Sequence, residues 1–162
     1  GYEFPKVRVG VRSGDTSQSE RQKQLRKPPH IFITTPESLA LVLAAPKFRE
    51  KFSQVEYIIV DEIHEICDSK RGVHLSITLE RLQDLCQRPI TRIGLSATLA
   101  PIEDIASYLV GCQDGNVRQV ELIEVLTKRN LDLEVVTVQG LNGCRAQGAT
   151  ARFGSATLVC NV

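Results

Sequence analysis

Tyr57-Ile58-Ile59-Val60, followed at once by Asp61-Glu62, constrains the fold of this chain more than any other stretch. A run of aromatic and β-branched residues without polar alternate positions is too apolar for a strand with one wet face. It predicts a central strand of a parallel sheet, covered on both sides. The two acids stand where that strand ends, and in open α/β sheets ligands bind at the carboxyl ends of the strands. Adjacent carboxylates there can divide the work. Asp61 suits a Mg²⁺ ion that keeps most of its water, and Glu62 suits orienting or deprotonating an attacking water. His64, two residues on, adds a hydrogen-bonding group able to sense what is bound. The plainer reading is that the acids cap the next helix.

On either side, short apolar runs alternate with helical patterns. Residues 6–11 alternate basic and apolar side chains and predict a strand with one face less buried. Arg12-Ser13-Gly14-Asp15-Thr16 follows as a turn. Ser17 is placed as N-cap of a polar helix over residues 18–27, with Glu20 completing a capping box, and Pro28-Pro29 stop it. Residues 30–35 predict a second buried strand. Pro36 then sits in the first turn of a helix whose apolar residues are Leu39, Ala40, Leu41, Val42 and Leu43, and residues 46–52 predict a further short helix. Beyond the acids, residues 68–72 form a polar loop, 73–87 a helix, and 91–95 a strand that runs into Ser96-Ala97-Thr98. Residues 101–110 predict a helix with Glu103 and Asp104 in its first turns, stopped by Gly111. Residues 117–125 and 131–138 predict two strands around the Lys128-Arg129-Asn130 turn.

This alternation predicts an α/β fold, a mainly parallel sheet flanked by helices. It extends over residues 1–140. From residue 141 to 162 there is no clear periodicity, and the expectation is an unassigned tail, loose or non-native. A net charge of +1 excludes a global electrostatic commitment to nucleic acid, so any basic surface is local. Five cysteines, widely spaced and without a C-x-x-C pair, argue against a disulfide framework or zinc site and for a reducing, cytoplasmic compartment. No apolar run reaches membrane-spanning length, so no membrane is expected as partner. The chain has no Met, even at position 1, and is expected to be a piece of a longer polypeptide.

In order, a buried strand ending in Thr-Thr-Pro-Glu-Ser, a strand ending in Asp-Glu-Ile-His and a strand ending in Ser-Ala-Thr resemble the first RecA-like motor domain of superfamily-two helicases. Arg-Ser-Gly-Asp-Thr, Val-Asp-Glu-Ile-His-Glu, Ser-Lys-Arg-Gly-Val-His-Leu and Ile-Gly-Leu-Ser-Ala-Thr are similar to the wording of the large helicase-related (Lhr) family, over about residues 7–138. The resemblance implies an ATP-dependent DNA or RNA helicase using ATP and Mg²⁺. It also implies backbone contacts to nucleic acid that do not read sequence, and the remainder of the helicase polypeptide as partner. Asp61 resembles the acid that holds Mg²⁺ beside the nucleotide phosphates, and Glu62 the residue that activates water. His64, with Ser96, Ala97 and Thr98, resembles the elements that relay nucleotide state to the nucleic-acid track. Thr35, Pro36, Glu37 and Ser38 are similar to a segment that grips one strand's backbone, for which a helix N-terminus with nearby hydroxyls is suited. The plainer reading is that Thr35 and Ser38 only cap their helix. Arg12, Gly14, Asp15 and Thr16 resemble a loop near the same track, though plain turn residues need no function. Lys70 and Arg71 are candidate contacts or ordinary exposed cations.

The departures matter as much. The chain contains no G-x-x-x-x-G-K-[ST] phosphate loop and no second motor domain with its arginine finger. The resemblance therefore implies an incomplete RecA-like domain, inactive as an isolated chain. The family's phosphate-loop strand is internal to the sheet, so its loss is expected to open a seam beside the Ser96 strand and leave an apolar edge. A reading of another class is a catalytically inactive remnant serving as a nucleic-acid or protein binding module. A third is a metal-dependent hydrolase built on Asp61, His64, Asp68 and His74.

Overall fold

The computed structural model of the chain describes residues 5–97, 101–125 and 155–159. Val9–Arg12 forms β1 and Ile31–Thr34 forms β2, paired in parallel with Val9 beside Ile31 and Arg12 beside Thr34. Between them runs α1, Gln18–Arg26. Its start is the expected one, since the Ser17 hydroxyl accepts from the Glu20 amide at 3.3 Å and satisfies an orphan donor of the first turn. The Glu20 carboxylate lies on Lys23 at 3.5 Å, so only half of the capping box forms. This polar helix docks through one buried side chain: Gln24 donates to the Val11 carbonyl at 2.9 Å.

Pro36–Ala44 forms α2, and Pro46–Arg49 forms α3, which tightens into a 3-10 turn at Glu50–Phe52. Tyr57–Val60 is β3, Lys70–Leu85 is α4, Thr91–Ser96 is β4 and Ile102–Val110 is α5. The α4 helix begins inside the expected loop, because Ser69 caps it by accepting from the Gly72 amide at 3.2 Å. Gly72 is tolerated in this first turn because nothing larger fits; a Cβ there would collide with the Ile66 carbonyl oxygen. At the end of α5, Gly111 takes φ of 66° and stops the helix as expected.

The expected strand over residues 117–125 divides. Cys112–Gln113 (β5) and Asn116–Val117 (β6) make a hairpin, and Glu121–Val125 is β7. Asp114 and Gly115, at φ of 52° and 80°, supply the two left-handed positions that such a tight turn demands. The Lys128-Arg129-Asn130 turn and residues 131–138 lie outside the described residues. So does most of the tail, yet Ser155–Val159 forms β8, where the sequence predicts no element.

β3 pairs with β4 in parallel, Tyr57 beside Thr91 and Val60 beside Gly94. β8 lies antiparallel along the other side of β4, with β7 beyond it. The fold class is the expected α/β, with parallel pairs beneath the site. Two narrower expectations are corrected. The seam beside the Ser96 strand is closed, because β8 pairs along β4 from Ile93 to Ser96. Nor is β3 covered on both sides: Tyr57 is 65% and Ile59 63% exposed. Val9, Val11, Ile31 and Ile33 are exposed in the same alternating way. Their neighbours Phe32 and Ile58 turn toward the helices, where they pack beside Leu39, Val42, Leu43 and Phe52. A second cluster, with Val60, Ile63, Leu75, Leu79 and Ile105, joins β3 to α4 and α5.

Among the described residues, one charged side chain is buried in this core. Arg92 on β4 is 1% exposed, and its Nη1 donates to Glu80 Oε1 at 2.9 Å and to the Leu109 and Val110 carbonyls at 3.2 and 3.0 Å. Arg118 donates to both Glu80 oxygens, at 2.7 and 2.8 Å, and to the Val110 carbonyl at 2.7 Å. Two guanidinium groups therefore close the negative end of α5. Burial raises the Glu80 pKa, but the hydrogen bonds from Arg118 and Arg92 outweigh it and hold the carboxyl below its usual range. Glu80→Ala is expected to leave the Arg92 charge buried without its counter-ion and to lower the unfolding free energy by about 3 kcal/mol. Urea denaturation checks this; a loss under about 1 kcal/mol would place the cluster among weak surface pairs.

Candidate functional site

β3 ends at the buried Val60, and the chain then turns outward. Asp61 Oδ1 accepts from the Glu62 amide at 3.1 Å, and Glu62 adopts left-handed backbone, φ 47° and ψ 44°. That conformation costs a non-glycine residue about 1 kcal/mol. It is held by Ile63, which is fully buried and pins the 3-10 turn Ile63–Glu65. Amides of Cys67 and Ser69 donate to the Ile63 and Ile66 carbonyls at 3.1 and 3.0 Å, leading the turn into the cap of α4.

With Ile63 turned inward, Asp61 and Glu62 face solvent and His64 folds back toward β4. The imidazole is 15% exposed, against 57% for the Glu62 side chain. Its Nδ1 lies 3.1 Å from Ser96 Oγ and 3.4 Å from Glu62 Oε2, while Nε2 lies 3.6 Å from Glu65 Oε1. The structure thus brings Asp61, Glu62, His64 and Ser96 together. Ala97 follows as an exposed bend, and Thr98 lies outside the described residues.

The Thr35 segment stands at the start of α2. Thr35 Oγ1 accepts from the Ser38 amide at 3.3 Å, and the Thr35 hydroxyl donates to Ser38 Oγ at 3.1 Å. These are the bonds of a helix cap. Pro36 occupies the first turn, and Glu37 is bound by Arg71 of α4, with Nε to Oε1 at 2.6 Å and Nη2 to Oε2 at 3.4 Å. α2 begins at the carboxyl end of β2, and α4 follows the carboxyl end of β3. The ion pair therefore ties both helix starts on one side of the strands. Arg71, in the sequence a candidate nucleic-acid contact or an ordinary exposed cation, is bound into this tie.

The Arg12 to Thr16 loop is closed on itself by the Ser13 amide, which donates to Thr16 Oγ1 at 2.8 Å. Arg21 holds it from α1, donating to the Thr16 and Gly14 carbonyls at 2.9 and 3.0 Å. Asp15 is exposed at its tip. The Arg12 guanidinium lies over the Phe48 ring, 5.0 Å from its centroid. Sequence reasoning misses both Arg21 and Phe48. A basic residue one turn into the helix after a Gly-containing turn is a usable signal for the first, since it can reach back to the turn carbonyls. Nothing local signals the second.

Among the described residues, no group of three or more His, Cys, Asp or Glu side chains could hold a metal ion. Asp61, His64, Asp68 and His74 form no such group. A lone outward carboxylate does fit Mg²⁺ that completes its shell with water and phosphate oxygens.

A sequence profile of the DEAD/DEAH box helicases matches residues 2–105. The chain belongs to that family. Within it, the relatives include Lhr helicases, as the motif wording implies. The ATP-dependent helicase Lhr-Core of Methanothermobacter thermautotrophicus is 54% identical over 130 residues, covering 80% of this chain and 15% of that protein. The Lhr helicase/uracil glycosylase of Escherichia coli is 44% identical over 130 residues, 80% of this chain and 8% of that protein. Among solved structures, Mycobacterium smegmatis helicase Lhr bound to ssDNA and AMP-PNP superposes with a TM-score of 0.66 at 48% identity, over 68% of this chain and 14% of that one. This helicase chain thus spans a small part of the length of its relatives. No helix among its described residues is long and apolar enough to cross a membrane.

The Glu37 to Arg71 tie has a measurable signature. The hydrogen bond from Arg71 holds the Glu37 carboxyl down to about 2. Its pKa is depressed, so the tie's contribution is complete above the ordinary glutamate range near ~4.3 and is lost as pH falls toward the lower value. An NMR titration of Glu37 is expected to inflect at about 2 in the unaltered chain and to return to the ordinary range in Arg71→Ala. An inflection that does not move between the two proteins would show the pair to be absent in solution.

Proposed function

We propose that this chain is the part of an ATP-dependent, Lhr-type DNA or RNA helicase that carries the hydrolytic acids and the link from them to the nucleic-acid track. The observation that carries this reading is the position of His64 Nδ1, shared between Glu62 Oε2 at 3.4 Å and Ser96 Oγ at 3.1 Å. With its proton on Nδ1 the ring donates toward the Glu62 carboxylate. With its proton on Nε2, Nδ1 accepts from the Ser96 hydroxyl instead. A change at Glu62 is thereby felt at the carboxyl end of β4 at little energetic cost.

The roles divide by direction. Asp61, outward and already aligned by the Glu62 amide, would hold Mg²⁺ through its carboxylate. When bound, Mg²⁺ with ATP neutralises the charge that develops on the transferred phosphoryl group. Glu62, exposed on its left-handed turn, orients the attacking water and takes its proton. Ser96, Ala97 and Thr98 relay the state of that site. Arg12, Gly14, Asp15 and Thr16, with Thr35, Pro36, Glu37 and Ser38, line a track for the backbone of one strand, read by charge and not by sequence. Support for a single strand and a nucleotide comes from the Mycobacterium smegmatis Lhr structure, which contains ssDNA and AMP-PNP. The remainder of the helicase polypeptide supplies the phosphate loop and the second motor domain, in the cytoplasm. Residues 1–140 form the partial motor domain.

In the full helicase polypeptide, Glu62→Gln is expected to leave ATP binding nearly intact and to lower turnover by about 100-fold or more. Steady-state phosphate release checks this; turnover within a factor of about two of the unaltered protein removes Glu62 from the chemistry and favours a binding module. Ser96→Ala is expected to reduce strand separation more than ATP hydrolysis, because the hydroxyl relays and does not react. Equal loss of both would make Ser96 a purely structural residue. The isolated chain, with no phosphate loop, is expected to release no phosphate with Mg²⁺ and ATP.

A further inference from the structure

Most arginines that the fold holds in place reach at least one protein acceptor. Arg8 donates to the Pro28 carbonyl at 3.0 Å, Arg21 to the loop carbonyls, Arg71 to Glu37, and Arg92 and Arg118 to Glu80. Arg12 differs. It is half-buried at the end of β1, its guanidinium lies over Phe48, and no protein acceptor among the described residues takes a hydrogen bond from it. A cation–π contact at 5.0 Å takes up none of the conventional hydrogen bonds of the guanidinium, so its N–H fork stays open. That fork matches a phosphate.

The platform beneath it is rigid. Phe48 is buried, with Phe32 and Phe52 ring centroids 5.8 and 5.7 Å away. The Arg12 carbonyl accepts from the Thr34 hydroxyl at 2.9 Å, which fixes this strand end beside the Thr35 cap of α2. On the other side Arg21 clamps the loop through Gly14 and Thr16. Burial, and then the charge of Arg21, push the Arg12 pKa down, so the guanidinium lacks a counter-charge that an arriving anion would provide. An arginine still remains charged at neutral pH.

We propose that Phe48 and Arg21 are positioning residues for a phosphate contact made by Arg12 on the nucleic-acid backbone, the ring aiming the guanidinium and Arg21 holding the loop beside it. The inference rests on the reading of the Arg12 to Thr16 loop as part of the track, and it adds the two residues that organise it.

The test is binding of a single-stranded DNA oligonucleotide to the 162-residue chain, followed by fluorescence anisotropy across a salt titration. Each phosphate contact contributes about 0.7 to the slope of log K against log salt for a single strand. Arg12→Gln is expected to make the slope shallower by about 0.7. Phe48→Leu is expected to reproduce that loss and to add nothing in the Arg12→Gln background, whereas Phe48→Tyr, which keeps a ring, retains the full slope. A folded fraction that stays constant across the salt titration, checked by circular dichroism for each variant, offsets log K without changing its slope, so the slope separates aiming from stability. Arg21→Ala, which leaves the core untouched, is expected to shift the slope in the same direction and only while Arg12 is present. A normal slope in both Phe48→Leu and Arg21→Ala, with Arg12→Gln shallow, overturns the positioning proposal and leaves the track reading standing. An unchanged slope in Arg12→Gln, or no binding by the unaltered chain at low salt, overturns the track reading and the proposal with it.

Discussion

The parallel register of β3 on β4 is the constraint on which the candidate site depends. Val60 stands beside Gly94, so the acid turn leaves β3 next to the last residues of β4. On β4 the side of Arg92, Gly94 and Ser96 is buried among the helices, while Ile93 and Leu95 are only half-buried. A slip of one residue would reverse that alternation. Ile93 and Leu95 would face the helices, Arg92 would leave Glu80, and Ser96 would turn away from His64. The contact of Arg92 with Glu80 and that of His64 with Ser96 therefore stand or fall together with this register.

Two sets of contacts from α4 hold that register. On one face Leu75 and Leu79 pack with the buried Ile63, which orients the turn that carries Asp61, Glu62 and His64. On another, Glu80 gathers Arg92 and Arg118 and so joins α4 to β4 and to the end of α5. Tyr108 of α5 adds a bond across to the start of α4, its hydroxyl donating to the Gly72 carbonyl at 2.6 Å. Burial pushes the Tyr108 pKa up to about 12, so this donor keeps its proton at any physiological pH. The site turn is thus braced from both of its neighbours, although its own acids are exposed.

The departures from expectation have physical causes. The run Tyr57 to Val60 is apolar enough for two covered faces, but among the described residues the helices supply only one. Tyr57 and Ile59 stay exposed beside the equally exposed Val9, Val11, Ile31 and Ile33. A face of that character is unusual for parallel strands. β8 was illegible because Ser155-Ala156-Thr157-Leu158-Val159 has weak alternation. What places it is the free edge of β4, whose backbone groups pair with an extended segment without reading its side chains.

The sequence by itself determined what depends on neighbours a few residues apart. Ser17 and Thr35 as caps, Pro36 in a first turn, Gly111 as a stop, and the acids at the end of an apolar strand are local matters of backbone geometry and hydrogen bonding. They were legible for that reason, as was the family that their order spells. Only the tertiary structure decided which of the marked residues meet. Glu37 finds Arg71 across 34 residues, Glu80 finds Arg92 and Arg118 across 12 and 38, and His64 finds Ser96 across 32. Arg12 lies on a ring that no local pattern connects to it. Such partners are chosen by strand register and helix packing, which sum many weak apolar contacts over the whole domain, and no short window of sequence contains that sum.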